Sequence, residues 1–248
     1  MVKKSAGRVP LERALSKLGI ASRTQARALI TAGKIKVNGT IRRDPTFPVT
    51  PETAVFELDG KRLERSTWRT FLLHKPRSVV TTRSDEKGRP TVFSLIKEPG
   101  LSLHSVGRLD FATTGLLILT NDTRLSSWLT DSANRVSRVY RVTVRGNVTE
   151  EELVRACAGI RDQGELLKPV ALELCKASGK ESHLRIELRE GKNREIRRLF
   201  LAVGHEVTRL KRVSYGGLEL GDLEPGEYRE LSREEIQAAF PKVALKPN

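Results

Sequence analysis

The apolar run Leu116–Leu119 constrains the fold of this chain more than any other stretch of its sequence. Gly115 precedes the run and Thr120 follows it, and Asn121-Asp122 then marks its end. An apolar run this short, bounded by turn residues, is typical of a buried strand. A buried strand needs other strands beside it, so the chain must contain a sheet.

Other strands and helices surround this run in no regular order. Short strands are predicted over 71–74 and 78–82, and alternating residues predict half-buried strands over 140–145 and 184–188. Helices are predicted near 124–129, over 150–158 and 196–203, and after Ser232, which with Glu235 has capping-box spacing. Because no regular βαβ alternation emerges, the sequence predicts an α+β domain with a mainly antiparallel sheet flanked by helices.

The first part of the chain predicts a separate small module. Leucines at helical spacing predict a helix over 11–18, and a second helix is expected to begin after Ser22. The spacing of Ser22 and Gln25 is a capping-box signature. Alternation over 35–37 and the pair Asn38-Gly39 predict a hairpin. We therefore expect a helix-helix-hairpin module with a basic face.

The chain is expected to divide into a basic tail (1–8), the small module (9–65) and a larger domain (68–243). Of the net charge of +15, residues 1–43 supply +10, from 11 Lys/Arg and one acidic residue. Such asymmetry favours a polyanionic partner, nucleic acid first, over a solvated face without a partner. A membrane-surface helix is disfavoured because the basic region lacks aromatic anchors.

Composition also indicates the cellular compartment in which the protein is expected. No apolar run approaches the roughly 20 residues that cross a bilayer, and the N-terminus lacks the apolar core of a secretory signal. Cys157 and Cys175 form neither a CxxC pair nor a disulfide framework. We expect free thiols, a reducing cytoplasmic location, no membrane partner and a monomer.

The chemistry available to this chain is narrow. It has no G-x-G-x-x-G or Walker A sequence, and its four histidines form no HExxH pair, so neither a cofactor nor a metal is expected. Asp110 remains, between Arg108 and a Thr-Thr-Gly turn just before the buried strand. Such a carboxylate can act as a nucleophile or base. From the residues alone, an ordinary turn aspartate is the other interpretation.

The stretch GRLDFATTGLLILTND (107–122) resembles the catalytic motif of RNA pseudouridine synthases, and most closely that of the RsuA/RluB family of ribosomal RNA pseudouridine synthases. Two further stretches are similar to family landmarks. Residues 139–142 look like the strand with the active-site tyrosine, and residues 191–199 like the C-terminal basic motif. Residues 22–39 resemble an S4 RNA-binding domain. The resemblance covers nearly the whole chain.

The resemblance implies that a uridine in RNA is converted into pseudouridine without metal, nucleotide or redox cofactor. Asp110 would be the essential carboxylate, acting either as a covalent nucleophile or as a base that forms a glycal. The target uridine must be flipped out of the stack, and Tyr140 would then stack on its uracil. Arg197 would pair with the carboxylate, with Arg198 as the competing choice.

The resemblance also implies RNA contacts. Arg108 would fill the space left by the flipped base or bind phosphate. The other expected contacts are Lys75, Lys192, Arg194 and Arg198 in the larger domain and Arg23, Arg27, Lys34 and Lys36 in the S4-like module. The expected partner is ribosomal RNA or a ribosomal assembly particle. The form of residues 193–198 favours large-subunit over small-subunit RNA.

Two other classes of protein compete with this interpretation. A non-catalytic RNA-binding or ribosome-assembly factor with the same fold predicts that loss of Asp110 changes nothing except stability. An S4-bearing RNA methyltransferase requires a glycine-rich cofactor loop after a strand, which this chain lacks. The chain departs from the family pattern at Phe111-Ala112, where polar or small residues are common, and this leaves the choice of substrate open.

Overall fold

The computed structural model describes residues 7–63, 67–98 and 101–245. The chain forms two compact units. The first comprises Met1–Arg69, Glu98–His104 and Thr120–Thr123; the second comprises Thr70–Lys97, Ser105–Leu119 and Arg124–Asn248. Within the described residues, no helix combines the length and apolar character needed to cross a membrane.

The helices of the first unit follow the predicted pattern. They are α1 (Leu11–Lys17) and α2 (Arg23–Thr31), and each buries one apolar face in a small core of its own unit. The predicted capping box is present at the start of α2. Ser22 Oγ accepts from the Gln25 amide at 3.3 Å, and Gln25 Oε1 accepts from the Ser22 amide at 3.0 Å.

Short antiparallel strands complete this unit. Its strands are β1 (Val9–Pro10), β2 (Ile35–Val37), β3 (Thr40–Ile41), β4 (Pro48–Val49), β5 (Phe56–Leu58) and β6 (Lys61–Arg62). Four of them form a sheet in the order β3-β2-β5-β6, while β1 pairs with β4. The predicted hairpin joins β2 to β3, with φ of 49° at Asn38 and 79° at Gly39. Positive φ at both residues is what a type I′ turn requires.

The larger part of the chain is built on one sheet. From residue 70 onward the strands are β7 (Thr70–Lys75), β8 (His104–Ser105), β9 (Thr114–Thr120), β10 (Arg138–Arg145), β11 (Ile160–Asp162), β12 (Glu165–Leu167), β13 (Ala171–Ala177), β14 (Glu181–Leu188), β15 (Val207–Tyr215), β16 (Leu218–Glu219) and β17 (Tyr228–Glu230). The main strand order is β13-β14-β10-β15-β9-β7-β17. β10 is antiparallel to both its neighbours, whereas β15 and β9 are parallel.

Four helices accompany these strands: α3 (Thr123–Thr130), α4 (Glu150–Ala158), α5 (Glu195–Ala202) and α6 (Arg233–Ala239). The expectation of an α+β fold with a mainly antiparallel sheet is confirmed. So is the buried strand, since the apolar run of β9 is fully buried. The strand predicted over 78–82 is wrong, because only Val80 makes an isolated bridge, to Thr91.

One extra residue in β15 changes which side chains share a face of the sheet. Arg138 pairs with Tyr215, but Tyr140 pairs with Arg212, so β15 carries one residue more than β10 between these pairs. In a regular strand, residues 212 and 215 would face opposite sides, because side chains alternate. The bulge at Val213 instead brings both to the face that carries Arg138 and Tyr140.

Gly115 allows β9 to lie directly against this part of β15. It is in parallel register with Arg212, and its φ is +106°. A Cβ atom at residue 115 would lie 2.1 Å from the Arg212 carbonyl oxygen, which no side chain can tolerate. The glycine of the Thr-Thr-Gly turn is therefore required by the packing of the two strands.

Candidate active site

A cavity of about 420 Å³ lies in the second unit, bounded by residues of the loop before β9, of β10 and β15, and of the start of α5. Its lining is strongly basic. The arginines that line it are Arg108, Arg138, Arg194, Arg197 and Arg212. Asp110 and Tyr140 line it as well, so the predicted carboxylate and aromatic residue share one cavity. Its volume is in the range of small-molecule sites, large enough for a nucleotide.

Asp110 lies in the loop that leads into β9. Its carbonyl oxygen accepts from the Thr113 amide at 3.0 Å, which closes a tight turn. The carboxylate is 41% exposed, and Arg194 Nη1 lies 3.8 Å from Oδ2. A half-exposed ion pair of this length contributes little to stability. Because the carboxylate is partly exposed, it is accessible for chemistry.

The predicted pairing of Asp110 with Arg197 is not what the structure shows, because Arg194 provides the ion pair instead. Arg197 Nη1 donates to the Val207 carbonyl at 2.8 Å, while its Nε and Nη2 are buried and have no acceptor within residues 7–63, 67–98 and 101–245. Burial lowers the pKa of Arg197, and the charge of Arg194 adds to this shift, whereas the charge of Asp110 opposes it. The charge of Asp110 thus influences the pKa of Arg197 although the two side chains form no ion pair.

Arg198 is wrong as the alternative partner of Asp110 and is not free to bind phosphate. Its Nε donates to Asp162 Oδ2 at 2.5 Å, and its Nη1 donates to Glu165 Oε2 at 2.6 Å. Both acceptors belong to the β11–β12 hairpin. Adjacent helix residues point about 100° apart, which explains why Arg197 reaches the cavity and Arg198 does not.

Lys75 is a buried structural residue in this fold, so the expectation that it contacts RNA is wrong. Its side chain has no exposed surface. The ammonium donates to the carbonyl oxygens of Thr113 at 2.8 Å and Pro76 at 3.0 Å. Burial lowers the pKa of Lys75 to about 8, and the charge of Asp110 opposes the shift. Lys75 therefore fixes the turn that presents Asp110.

The loop before α5 is held by acidic groups. Lys192 Nζ donates to Glu190 Oε1 at 2.5 Å and to the Leu166 carbonyl at 2.6 Å, so the predicted phosphate contact is already paired within the protein. Glu195 Oε2 accepts from the Lys192 amide at 3.3 Å. Burial, with the adjacent Glu190, raises the pKa of Glu195 to about 7. Arg194 adopts a left-handed conformation, with φ of 48°.

Arg212 and Thr113 are cavity residues that the sequence analysis does not identify. Arg212 is 2% exposed, and its Nε donates to the Leu116 carbonyl at 2.7 Å. Thr113 is also buried, and its hydroxyl has no partner among the described residues. No strand is predicted over 207–215 from the sequence, so nothing there assigns Arg212 to a face of the sheet.

The basic residues predicted in the first unit lie on its surface. Arg23 and Lys34 are exposed, and Lys36 is half-buried. Arg27 is exposed but paired, since its Nε and Nη2 donate to the two carboxylate oxygens of Glu12 at 2.8 and 3.1 Å. Among the described residues none forms an ion pair with Arg23, Lys34 or Lys36, although the charge of Arg23 also acts on Glu12. The charge of Arg27 is partly neutralised. In the second unit, Arg108 is exposed at the cavity.

Comparison with known proteins shows two family matches. Residues 69–202 match the RNA pseudouridylate synthase family, and residues 9–55 match the S4 domain. A solved structure described as a pseudouridylate synthase superposes with a TM-score of 0.67 at 29% identity, covering 93% of this chain and 99% of the other.

Two relatives among the curated proteins are similar over most of their length. The ribosomal large subunit pseudouridine synthase B of Bacillus subtilis is 36% identical over 92% of this chain and 93% of its own. The ribosomal small subunit pseudouridine synthase A of Vibrio parahaemolyticus is 34% identical over 89% of this chain and 94% of its own. With an S4 domain ahead of a synthase domain whose cavity contains the motif aspartate, this chain belongs to the RsuA/RluB family of RNA pseudouridine synthases.

Proposed function

We propose that this enzyme converts one uridine of large-subunit ribosomal RNA into pseudouridine, with Asp110 as the essential carboxylate. The N1–C1′ bond of the nucleotide breaks, the uracil turns in the cavity, and a C5–C1′ bond forms. The proton on C5 is lost, and N1 gains one. The observation that carries this proposal is the half-exposed Asp110 carboxylate in a nucleotide-sized cavity lined by five arginines.

The cavity suits a nucleotide that has left its helix. A base must be extruded before an enzyme can reach its glycosidic bond, at an unstacking cost of a few kcal/mol. Tyr140 offers an aromatic side chain on the cavity wall, and Arg108 lies exposed two residues before Asp110. We propose that Tyr140 contacts the flipped uracil and that Arg108 either fills the vacated stack or binds phosphate.

The role of Asp110 requires an ionised carboxylate near the ribose. It acts either as a nucleophile that forms a covalent intermediate or as a base that removes a ribose proton and yields a glycal. Arg194 and Arg197 place positive charge around the carboxylate in both cases. Arg194 is the nearer cation, since its Nη1 lies 3.8 Å from the carboxylate.

The choice of large-subunit over small-subunit ribosomal RNA rests on two observations. The relative named as acting on the large subunit is slightly more similar to this chain than the one named for the small subunit. Residues 193–198 also have the form expected of large-subunit enzymes. We propose that the enzyme acts as a cytoplasmic monomer on ribosomal RNA or an assembly particle, and that Arg23, Lys34 and Lys36 bind phosphates.

Deletion of the gene, followed by mapping of pseudouridines in both ribosomal RNAs, tests this function. We expect one site in large-subunit RNA to disappear, to return with the wild-type gene, and to stay absent with Asp110→Asn. Loss of a small-subunit site would contradict the substrate but keep the reaction. If no site disappears, or if Asp110→Asn restores it, a non-catalytic RNA-binding factor becomes the better description.

A further inference from the structure

Two buried arginines flank the ring of Tyr215 in the wall of the cavity. The guanidinium carbon of Arg138 lies 5.1 Å from the ring centroid, and that of Arg212 lies 5.0 Å from it. Both arginines line the cavity and are almost fully buried, with 7% and 2% of their surfaces exposed. The two side chains thus have the same charge, the same aromatic neighbour and nearly the same burial.

The hydrogen bonds of Arg138 assign it a structural role. Its Nη1 donates to the carbonyl oxygens of Val136 at 3.1 Å and Glu190 at 3.3 Å. Its Nη2 donates to the Leu129 carbonyl at 3.4 Å and the Tyr215 hydroxyl at 3.2 Å. Since the protein supplies acceptors to both ends of this guanidinium, Arg138 needs no ligand.

Arg212 differs, because the protein leaves most of its donors unused. Its Nε donates to the Leu116 carbonyl, and no described residue accepts a hydrogen bond from either terminal nitrogen. Nη2 is also buried away from solvent. Buried polar groups are nearly always hydrogen-bonded, and a native exception calls for an explanation. A ligand in the cavity would supply the missing acceptors.

The unused donors of this cavity indicate what the ligand offers. Nε and Nη2 of Arg197 and the hydroxyl of Thr113 are also buried, and no group in the described part of the chain forms a hydrogen bond with them. Guanidinium groups donate and never accept, so the ligand must present acceptor oxygens to the wall. Arg212 is the cross-strand partner of Tyr140, so both side chains lie on one face of the sheet.

We propose that Arg212 is a substrate-binding residue, whose guanidinium donates a hydrogen bond to a carbonyl oxygen of the flipped uracil. This inference rests on the proposed function. A base carbonyl fits better than a phosphate, because Arg212 lies in the buried wall beside Tyr140, whereas Arg108 and Arg194 are exposed where a backbone can pass. Cytosine replaces one of the two carbonyl oxygens by an amino group, so the contact would also favour uracil.

Single-turnover kinetics on transcripts of both ribosomal RNAs test this contact. Arg212→Met keeps an unbranched side chain but removes the donors, and we expect it to slow pseudouridine formation by about 10- to 100-fold. Its RNA affinity should stay within about twofold, because phosphate contacts dominate binding. Arg212→Lys should recover part of the rate. Arg138→Met is the matched control, which we expect to lower the melting temperature more than Arg212→Met does.

Thio-substituted transcripts distinguish a base contact from a phosphate contact. Sulfur in place of a uracil carbonyl oxygen is a weaker acceptor, so either 2-thiouridine or 4-thiouridine RNA should slow the wild type and shrink its advantage over Arg212→Met. An undiminished advantage on both RNAs would overturn the uracil contact, as would an Arg212→Met variant as fast as the wild type. If Arg212→Met is as fast as the wild type, the proposed function still stands. A wild type that forms no pseudouridine on either transcript or on ribosomal assembly particles overturns both proposals.

Discussion

Arg194 Nη1 lies 3.8 Å from Asp110 Oδ2, which joins the residue before α5 to the loop before β9. Arg194 reaches this position from a left-handed backbone conformation, with φ of 48°. The family resemblance assigns the pairing to Arg197, three residues later. Among the cations around the carboxylate, Arg194 is exposed whereas Arg197 and Lys75 are more buried, so Arg194 is the one that an incoming RNA can displace or share.

Substitution of Arg194 and Arg198 should separate catalysis from stability. We expect Arg194→Gln to reduce turnover while leaving the melting temperature unchanged, because its ion pair is long and exposed. Arg198→Gln should do the opposite, since it removes the bonds to Asp162 and Glu165. Single-turnover rates and thermal melts of both variants check this. Equal melting temperatures for the two variants would contradict the assignment.

Gly115→Ala should destabilise the protein by at least about 2 kcal/mol, through backbone strain at positive φ and a clash with β15. The new Cβ would meet backbone atoms of Arg212, which cannot move as a flexible side chain can. Gly164→Ala is the matched control, because Gly164 also has positive φ, +78°, but open space around it. Urea unfolding of both variants measures the difference, and a milder effect at residue 115 than at 164 would refute the packing argument.

Glu195 should make stability depend on pH. Burial and the neighbouring Glu190 raise its pKa in the folded state to about 7, from an ordinary value of 4.5. The folded state therefore holds more protons over this interval, and stability falls as pH rises from about 4.5 to 7. Glu195→Gln imitates the protonated acid and should lose less stability over that range. Urea unfolding at a series of pH values tests this, and parallel pH profiles for the two proteins would count against it.

The S4 domain should provide part of the salt dependence of RNA binding. Arg23 and Lys34 are each replaced by glutamine in a separate variant. Each replacement should reduce the slope of log K against log salt by about 0.7 to 0.9 for each phosphate that the variant no longer neutralises. Arg27→Gln should change the slope less, because Glu12 already pairs with Arg27. Filter binding between low and moderate salt measures the slopes. A larger change for Arg27→Gln would reverse this ranking.

Features set by local chemistry were predictable from the sequence. The capping box at Ser22, the hairpin turn at Asn38-Gly39 and the helix over Glu150–Ala158 depend on residues within a few positions of each other. The buried strand β9 was equally clear, because its apolar run has only one compatible environment. The same stretch placed Asp110 at a loop-to-strand junction, where the structure has it.

Partners that are distant in sequence could not be predicted in this way. Lys75 looked like a surface cation, but β7 carries it into the interior, where it bonds to the Thr113 carbonyl. Arg198 is tied to a hairpin more than 30 positions earlier, by bonds to Asp162 and Glu165. Arg212 was missed because no strand was predicted over 207–215, and the bulge at Val213 that brings Tyr215 to the same face depends on the pairing of β15 with β10.

That bulge shifts the phase of side-chain alternation between β10 and β15. If β15 paired without the bulge and kept all its residues, the sheet could still form, but either Arg212 or Tyr215 would turn to the opposite face. The cavity wall would then lose either the guanidinium of Arg212 or the ring of Tyr215, with no change in overall fold. Gain or loss of a bulge at this point of β15 is therefore a short evolutionary route to a new ligand preference on an unchanged scaffold.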